Sequence, residues 1–177
     1  MTADEQGRLE TLDAVLRSES AQKQIHLIVQ SVRAALVRKK EAVMAWEPIS
    51  LPIFGRALPG EIRSAWVFVL RAGADTGAER HPNSQQRMMS FEGSGDMQTG
   101  ESGRWQSNVL ISNPQAPLEQ RWISIPRNVW HRPIVGKDED WVVVSFHTVA
   151  AKELIEERPD DIGNAGAKQM KYLESDS

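Results

Sequence analysis

From Met44 onward the chain never runs far without a turn residue. Pro48, Pro52, Gly55, Pro59 and Gly60 break it into short pieces. Clusters of Gly, Pro, Asn and Asp then separate five runs of strand length, IRSAWVFVLRAG, QQRMMSFEG, SNVLIS, RWISIP and WVVVSFHTV, each alternating or wholly apolar. One strand cannot bury two faces alone, so many short strands at this spacing predict a sandwich or a barrel.

The residues before that point follow a different period. Leu9, Leu12, Val15 and Leu16 fall at helical spacing, and Ile25, Ile28, Val29, Val32 and Leu36 resume it after SESA. Ser18 or Ser20 supplies the N-cap of the second helix. The pair reads as amphipathic, with its apolar face against the β-domain or against a dimer mate. A DNA-reading pair would need more helix and a more basic face. The expected organisation is a helical extension over 1–45, a β-barrel over 46–157 and a polar, loop-like tail over 158–177.

Composition narrows the function classes. A chain of 177 residues suits one domain with an appendage, and 40% hydrophobic with 25% charged residues is an ordinary globular balance. A net charge of −3 lacks the basic excess that phosphate backbones demand, so nucleic acid is not an expected partner. There is no cysteine, which removes disulfides, thiolate metal sites and cysteine nucleophiles. No apolar run approaches a membrane span, and MTADEQGRLETLDAVL lacks a signal-peptide core, so a soluble, cytoplasmic protein without membrane partners is expected. Nucleophile elbows, Walker-type phosphate loops and dinucleotide fingerprints are absent. The stretch GSGDMQTGESG, residues 93 to 103, reads as a hairpin turn.

One stretch carries chemistry. Gly73 is followed after five residues by Glu79-Arg80-His81, after four more by Gln86, and after six more by Gly93. Further on, Pro126-Arg127-Asn128 precedes His131 by two residues. Together these spacings resemble the two motifs of the cupin superfamily, small jelly-roll barrels, over residues 60 to 150 or so. The first motif there is Gly, five residues, His-x-His, three or four residues, Glu, six residues, Gly. The second is Gly, five residues, Pro-x-Gly, two residues, His, three residues, Asn. Here the ligand positions of the first motif read Glu79, His81 and Gln86. In the second, Asn128 stands for Gly, a replacement a left-handed turn tolerates, while Gln120 and Val135 replace the outer markers.

The resemblance implies an all-β jelly roll behind the helical extension, often dimeric. It also places Glu79, His81, Gln86 and His131 as metal ligands around a divalent ion such as iron, manganese, nickel or zinc. Alternation agrees, because Glu79 and His81 are two apart and fall on one side of an extended segment. Two imidazoles and a carboxylate make the donor set of a non-haem iron site and serve other divalent metals too. Gln86 would be a weak neutral ligand or a donor orienting substrate. His81 and His131 are the expected catalytic residues. Trp66, Met88, Ser90, Trp130 and His147 are the expected walls of a substrate pocket, with Trp122 beside them. Arg121 and Arg132 would bind a substrate carboxylate or form surface ion pairs. His26 is expected to pack on its helix.

Three readings stay open at this stage. The chain is a metal-dependent enzyme on a small organic molecule, of dioxygenase type, or a metal-free module that binds or senses a small ligand. The third is a metal-independent isomerase or epimerase with a histidine base. Each expects a small-molecule partner and a homodimer.

Overall fold

Strand pairing, not helix packing, organises this chain. The structure is a computed structural model that describes residues 2–101, 104–159 and 167–171. Among the described residues, two α-helices, α1 (Ala3–Leu16) and α2 (Glu19–Arg38), precede eleven strands. Thr2 caps α1 and Ser18 caps α2, each accepting a backbone N–H in the first turn.

Five strands form one antiparallel sheet in the order β1 (Met44–Ile49), β2 (Ser64–Leu70), β9 (Trp141–His147), β3 (Gln86–Glu92) and β7 (Trp122–Ile125). A second sheet is built on β4 (Ser94–Glu101). One edge of β4 pairs with β8 (Trp130–Val135), and the other is shared by β5 (Arg104–Gln106) and β6 (Val109–Ile111). The result is an all-β jelly roll behind a helical N-terminal part.

Alternation divides the apolar residues into two cores. Trp66, Phe68 and Leu70 of β2, Trp141 and Val143 of β9, and Met88 of β3 face the barrel interior with Met97 and Leu110. Their neighbours Ala65, Val67, Val69, Val142, Val144, Phe146, Met89 and Phe91 face outward, against Leu9, Leu12, Leu16, Ile25, Val29 and Val32 of the helices. The helices therefore cover the outer face of the larger sheet. With both faces covered, β2 and β9 are buried at every position, which is why their sequences are nearly unbroken apolar runs.

Ion pairs lock this helical cover to the sheet. Arg121, just before β7, is buried and grips the Asp13 carboxylate with both terminal nitrogens, while Trp122 Nε1 donates to the same carboxylate at 2.9 Å. Arg87 on β3 similarly holds Glu5, from Nε at 2.6 Å and Nη2 at 2.9 Å. Arg121 is thus neither a surface residue nor a substrate clamp. Arg132 lies over the Trp105 ring at 4.6 Å and donates to Gln98.

Two segments depart from expectation. Residues 94–101, read as a turn, are β4, the strand on which the second sheet is built. Gly95 permits it, because a Cβ there would meet the Trp141 ring at 2.2 Å, so only glycine lets the two sheets close at that point. Within the segment read as a polar, loop-like tail, Ala167–Lys171 form β11 and pair antiparallel with β10 (Ile155–Pro159). Ladder hydrogen bonds come from the backbone, so a polar sequence does not forbid them. Among the described residues, no helix is long and apolar enough to cross a membrane.

Candidate metal centre

The segment entering β3 is held by backbone pairing rather than left to solvent. Glu79 and His131 exchange two backbone hydrogen bonds of 2.8 Å each, and Arg80 and Glu157 exchange a second pair at 3.0 and 2.9 Å. Directly opposed residues of such a bridge carry their side chains to the same side. His81 follows two residues on and turns the same way. Its carbonyl accepts the N–H of Asn128, which sits at φ 63° as the glycine slot of the second motif requires. Gln86 opens β3 immediately downstream.

Glu79, His81 and His131 each offer one ligand atom, and these atoms all lie within 4.8 Å of one another. Glu79 Oε1 and His131 Nε2 are 3.4 Å apart. Each histidine uses its other nitrogen on a backbone carbonyl: His81 Nδ1 on Ile155 at 2.9 Å and His131 Nδ1 on Val129 at 3.1 Å. A carbonyl accepts, so Nδ1 of each ring carries the proton and Nε2 keeps the lone pair a metal needs. His131 Nε2 is buried without a hydrogen-bond partner, as is Gln86 Oε1. Buried polar atoms are rarely left unsatisfied, so the His131 Nε2 lone pair, converging with the donor atoms of Glu79 and His81, fits a bound cation.

The electrostatics agree. Burial raises the Glu79 carboxyl, but His131, His81 and Arg158 outweigh it and hold the group at about 2. Burial, reinforced by the neighbouring His131, pulls His81 down to about 4. At neutral pH the carboxylate is charged and His81 is neutral, the states in which both bind metal. Arg158 Nη2 donates to Glu79 Oε2 at 3.0 Å and its Nε to Glu156 at 2.5 Å. Burial and the nearby Glu79 charge push Glu156 up to about 7.

The expected pocket residues separate. Met88 lines a small cavity with Glu79, Gln86, Phe68, Met97 and Val143, whose volume of about 30 Å³ is enough for roughly two waters. Trp66 is wholly buried in the barrel core, edge-on to Trp46 at 5.2 Å, and is not among the residues lining this cavity. Ser90 accepts the Trp141 indole N–H at 2.9 Å and donates to Gly93, so it serves the core. Trp130 points the other way from His131, because β8 alternates, and Arg80 stacks over its ring at 4.7 Å. Trp122 packs beneath the helices, on the far side of the sheet.

His147 does belong to the site's surroundings. Its ring centre is 5.0 Å from that of His81, it is fully buried, and burial with the two neighbouring histidines lowers it well below the ordinary value. It is bracketed by Ser84 at 3.3 Å and Ser145 at 3.1 Å, and Ser145 accepts from Gln86 Nε2 at 3.0 Å. His26 lies on exposed α2 surface against Phe91. Sequence reasoning missed Arg158 and Glu156 altogether. They are 79 and 77 positions from Glu79, where the expected barrel segment gives way to the polar tail, and only strand pairing brings them back.

No family model and no curated protein matches the chain. Solved structures do resemble it. The coconut allergen cocosin aligns with a TM-score of 0.50 at 16% identity, over 67% of this chain and 29% of that one. The capsular polysaccharide assembling protein CapF from Staphylococcus aureus gives 0.48 at 12% identity, over 62% and 29%. Oxalate oxidase in complex with the substrate analogue glycolate gives 0.42 at 20%, over 60% and 51%. This chain spans under a third of the first two and about half of the third. At such identities the likeness is one of fold, and the cocosin match carries it.

Proposed function

We propose that this chain, a cupin by its jelly-roll fold, is a metal-dependent enzyme acting on a small organic molecule. Glu79, His81 and His131 would hold the divalent ion, with Gln86 beside them. The observation that carries this reading is the convergence of one carboxylate and two imidazole nitrogens within 4.8 Å, with His131 Nε2 buried, without a hydrogen-bond partner and 3.4 Å from Glu79 Oε1. An iron ion in such a donor set supplies dioxygen activation, the dioxygenase reading, whereas a redox-inert ion supplies Lewis-acid chemistry.

The protein's own groups prepare that site. Arg158 holds one oxygen of Glu79 and leaves the other toward His131. Backbone carbonyls fix both histidine tautomers. Met88, Phe68, Met97 and Val143 give the cavity beside Glu79 and Gln86 an apolar wall, and at low dielectric charge interactions strengthen. We include a homodimer and a cytoplasmic setting in this reading; a solution mass near 19.8 kDa would remove the dimer.

A second reading, a metal-free ligand-binding barrel, has one observation in its favour: Arg158 already gives Glu79 a cationic partner. Elemental analysis of protein purified without added metal or chelator separates the two. Near-stoichiometric iron, manganese, nickel or zinc, lost in Glu79→Ala and His131→Ala, is the expected result. Metal at buffer level even after reconstitution would sink the enzyme reading.

A further inference from the structure

Gln86 ends a buried chain of hydrogen bonds whose direction can be followed atom by atom. The Thr148 backbone N–H donates to Ser84 Oγ at 3.1 Å, and the Ser84 hydroxyl donates to the Gln85 carbonyl at 3.1 Å. With its one proton committed, Ser84 Oγ can only accept from His147 Nδ1, 3.3 Å away. His147 then carries its proton on Nδ1, and its Nε2 accepts the Ser145 hydroxyl proton at 3.1 Å. Ser145 Oγ in turn accepts from Gln86 Nε2 at 3.0 Å. A carboxamide has one nitrogen and one oxygen. Committing the nitrogen to Ser145 leaves Oε1 as the group that remains, buried and without a hydrogen-bond partner, on a residue that walls the cavity with Glu79.

We infer that Gln86 is a specificity-determining residue, a fixed neutral acceptor that favours a bound molecule presenting an O–H or N–H donor and disfavours an anion. His147 is its positioning residue, acting through Ser145. The inference rests on the metal reading above. A donor on the ligand would satisfy an oxygen that otherwise bears the full cost of burial. An anion would instead set a second electron-rich atom against it in a medium of low dielectric. Were the chain to run the other way, Gln86 would offer N–H to the cavity and the selectivity would reverse.

Two measurements test this. In the metal-free protein, ¹⁵N–¹H correlation spectra report which nitrogen of His147 is protonated; Nδ1 is expected, and Nε2 would overturn the inference. The Co²⁺-loaded protein is then titrated with azide and followed by its visible spectrum. Gln86→Leu should bind azide about tenfold tighter than the parent. His147→Phe, which releases the amide to rotate, should do the same, yet add nothing in the Gln86→Leu background. Ser145→Ala, a smaller change at the same link, replaces His147→Phe if that variant does not fold. Equal azide affinity in parent and Gln86→Leu defeats the inference and leaves the metal reading intact. Failure of the parent to take up Co²⁺ defeats both.

Discussion

Glu79 Oε1 and His131 Nε2 face each other across 3.4 Å, on two residues whose backbones are themselves paired by two hydrogen bonds of 2.8 Å. The ladder thus sets the geometry of these candidate ligands. Their proton affinities set the pH range in which they work. Glu79 stays ionised down to about 2, and His81 stays neutral down to about 4. At Glu79 and His81, protons therefore compete with metal only in acid. Metal content after equilibration should hold from pH 7 to about pH 5 and fall as pH drops through 4. Loss near pH 6.5, the ordinary histidine value, would show that the burial of His81 does not govern the site.

The same groups shape stability after chelation. His81 is depressed from 6.5 to about 4, so below 6.5 the unfolded chain binds the proton more readily. Its contribution is complete above 6.5 and is lost as pH falls toward 4, about 3 kcal/mol in all. His147 adds a loss of the same sign. Glu156 opposes both: raised from 4.5 to about 7, it stabilises the fold below 4.5 and loses that contribution as pH rises through 7. His81 and His147 together against Glu156 predict a net rise of stability with pH between 4.5 and 6.5. Urea denaturation of Glu156→Gln should show a steeper rise than the parent, and an unchanged slope would contradict the assignment.

Asp13 joins the helical cover to the barrel. Arg121, Trp122 and Arg17 all bind its carboxylate, and both Asp13 and Arg121 are buried. Removing one partner strands a buried charge, so Asp13→Ala should cost about 3–5 kcal/mol by chemical denaturation. Asp13→Ala with Arg121→Met should recover part of that loss, because no charge is left unpaired.

Gly95 lets β4 lie directly against the Trp141 ring of the other sheet. A Cβ there would lie 2.2–2.6 Å from three ring atoms of Trp141, which is fully buried and hydrogen-bonded to Ser90. Gly95→Ala should destabilise by about 1–3 kcal/mol or more. Near-ultraviolet circular dichroism should change with it, because the indole has to move.

Much of this was legible one residue at a time. The short, punctuated runs specified a β-barrel, and the helical period of Leu9, Leu12, Leu16, Ile25, Val29 and Val32 marked what covers it. Alternation placed Trp66 and His147 on inward faces of β2 and β9. Motif spacing, with Asn128 in its left-handed turn, brought Glu79, His81, Gln86 and His131 to one region. These are local signals, carried by period, turn chemistry and spacing along the chain.

What the sequence alone could not settle is who pairs with whom. It took sheet pairing to make 94–101 a strand, because glycines and polar residues hide a ladder whose bonds belong to the backbone. The two-faced alternation of β8 turned Trp130 away from the site that His131 enters. Burial by the helices converted Arg121 from an exposed cation into the partner of Asp13. Chain reversal returned Arg158 to Glu79 across 79 positions. Residue type and spacing determined the fold and which candidate donors, Glu79, His81 and His131, come together. Their protonation, their partners and the size of the space between them depend on contacts made only when distant strands meet, and tertiary structure alone decided those.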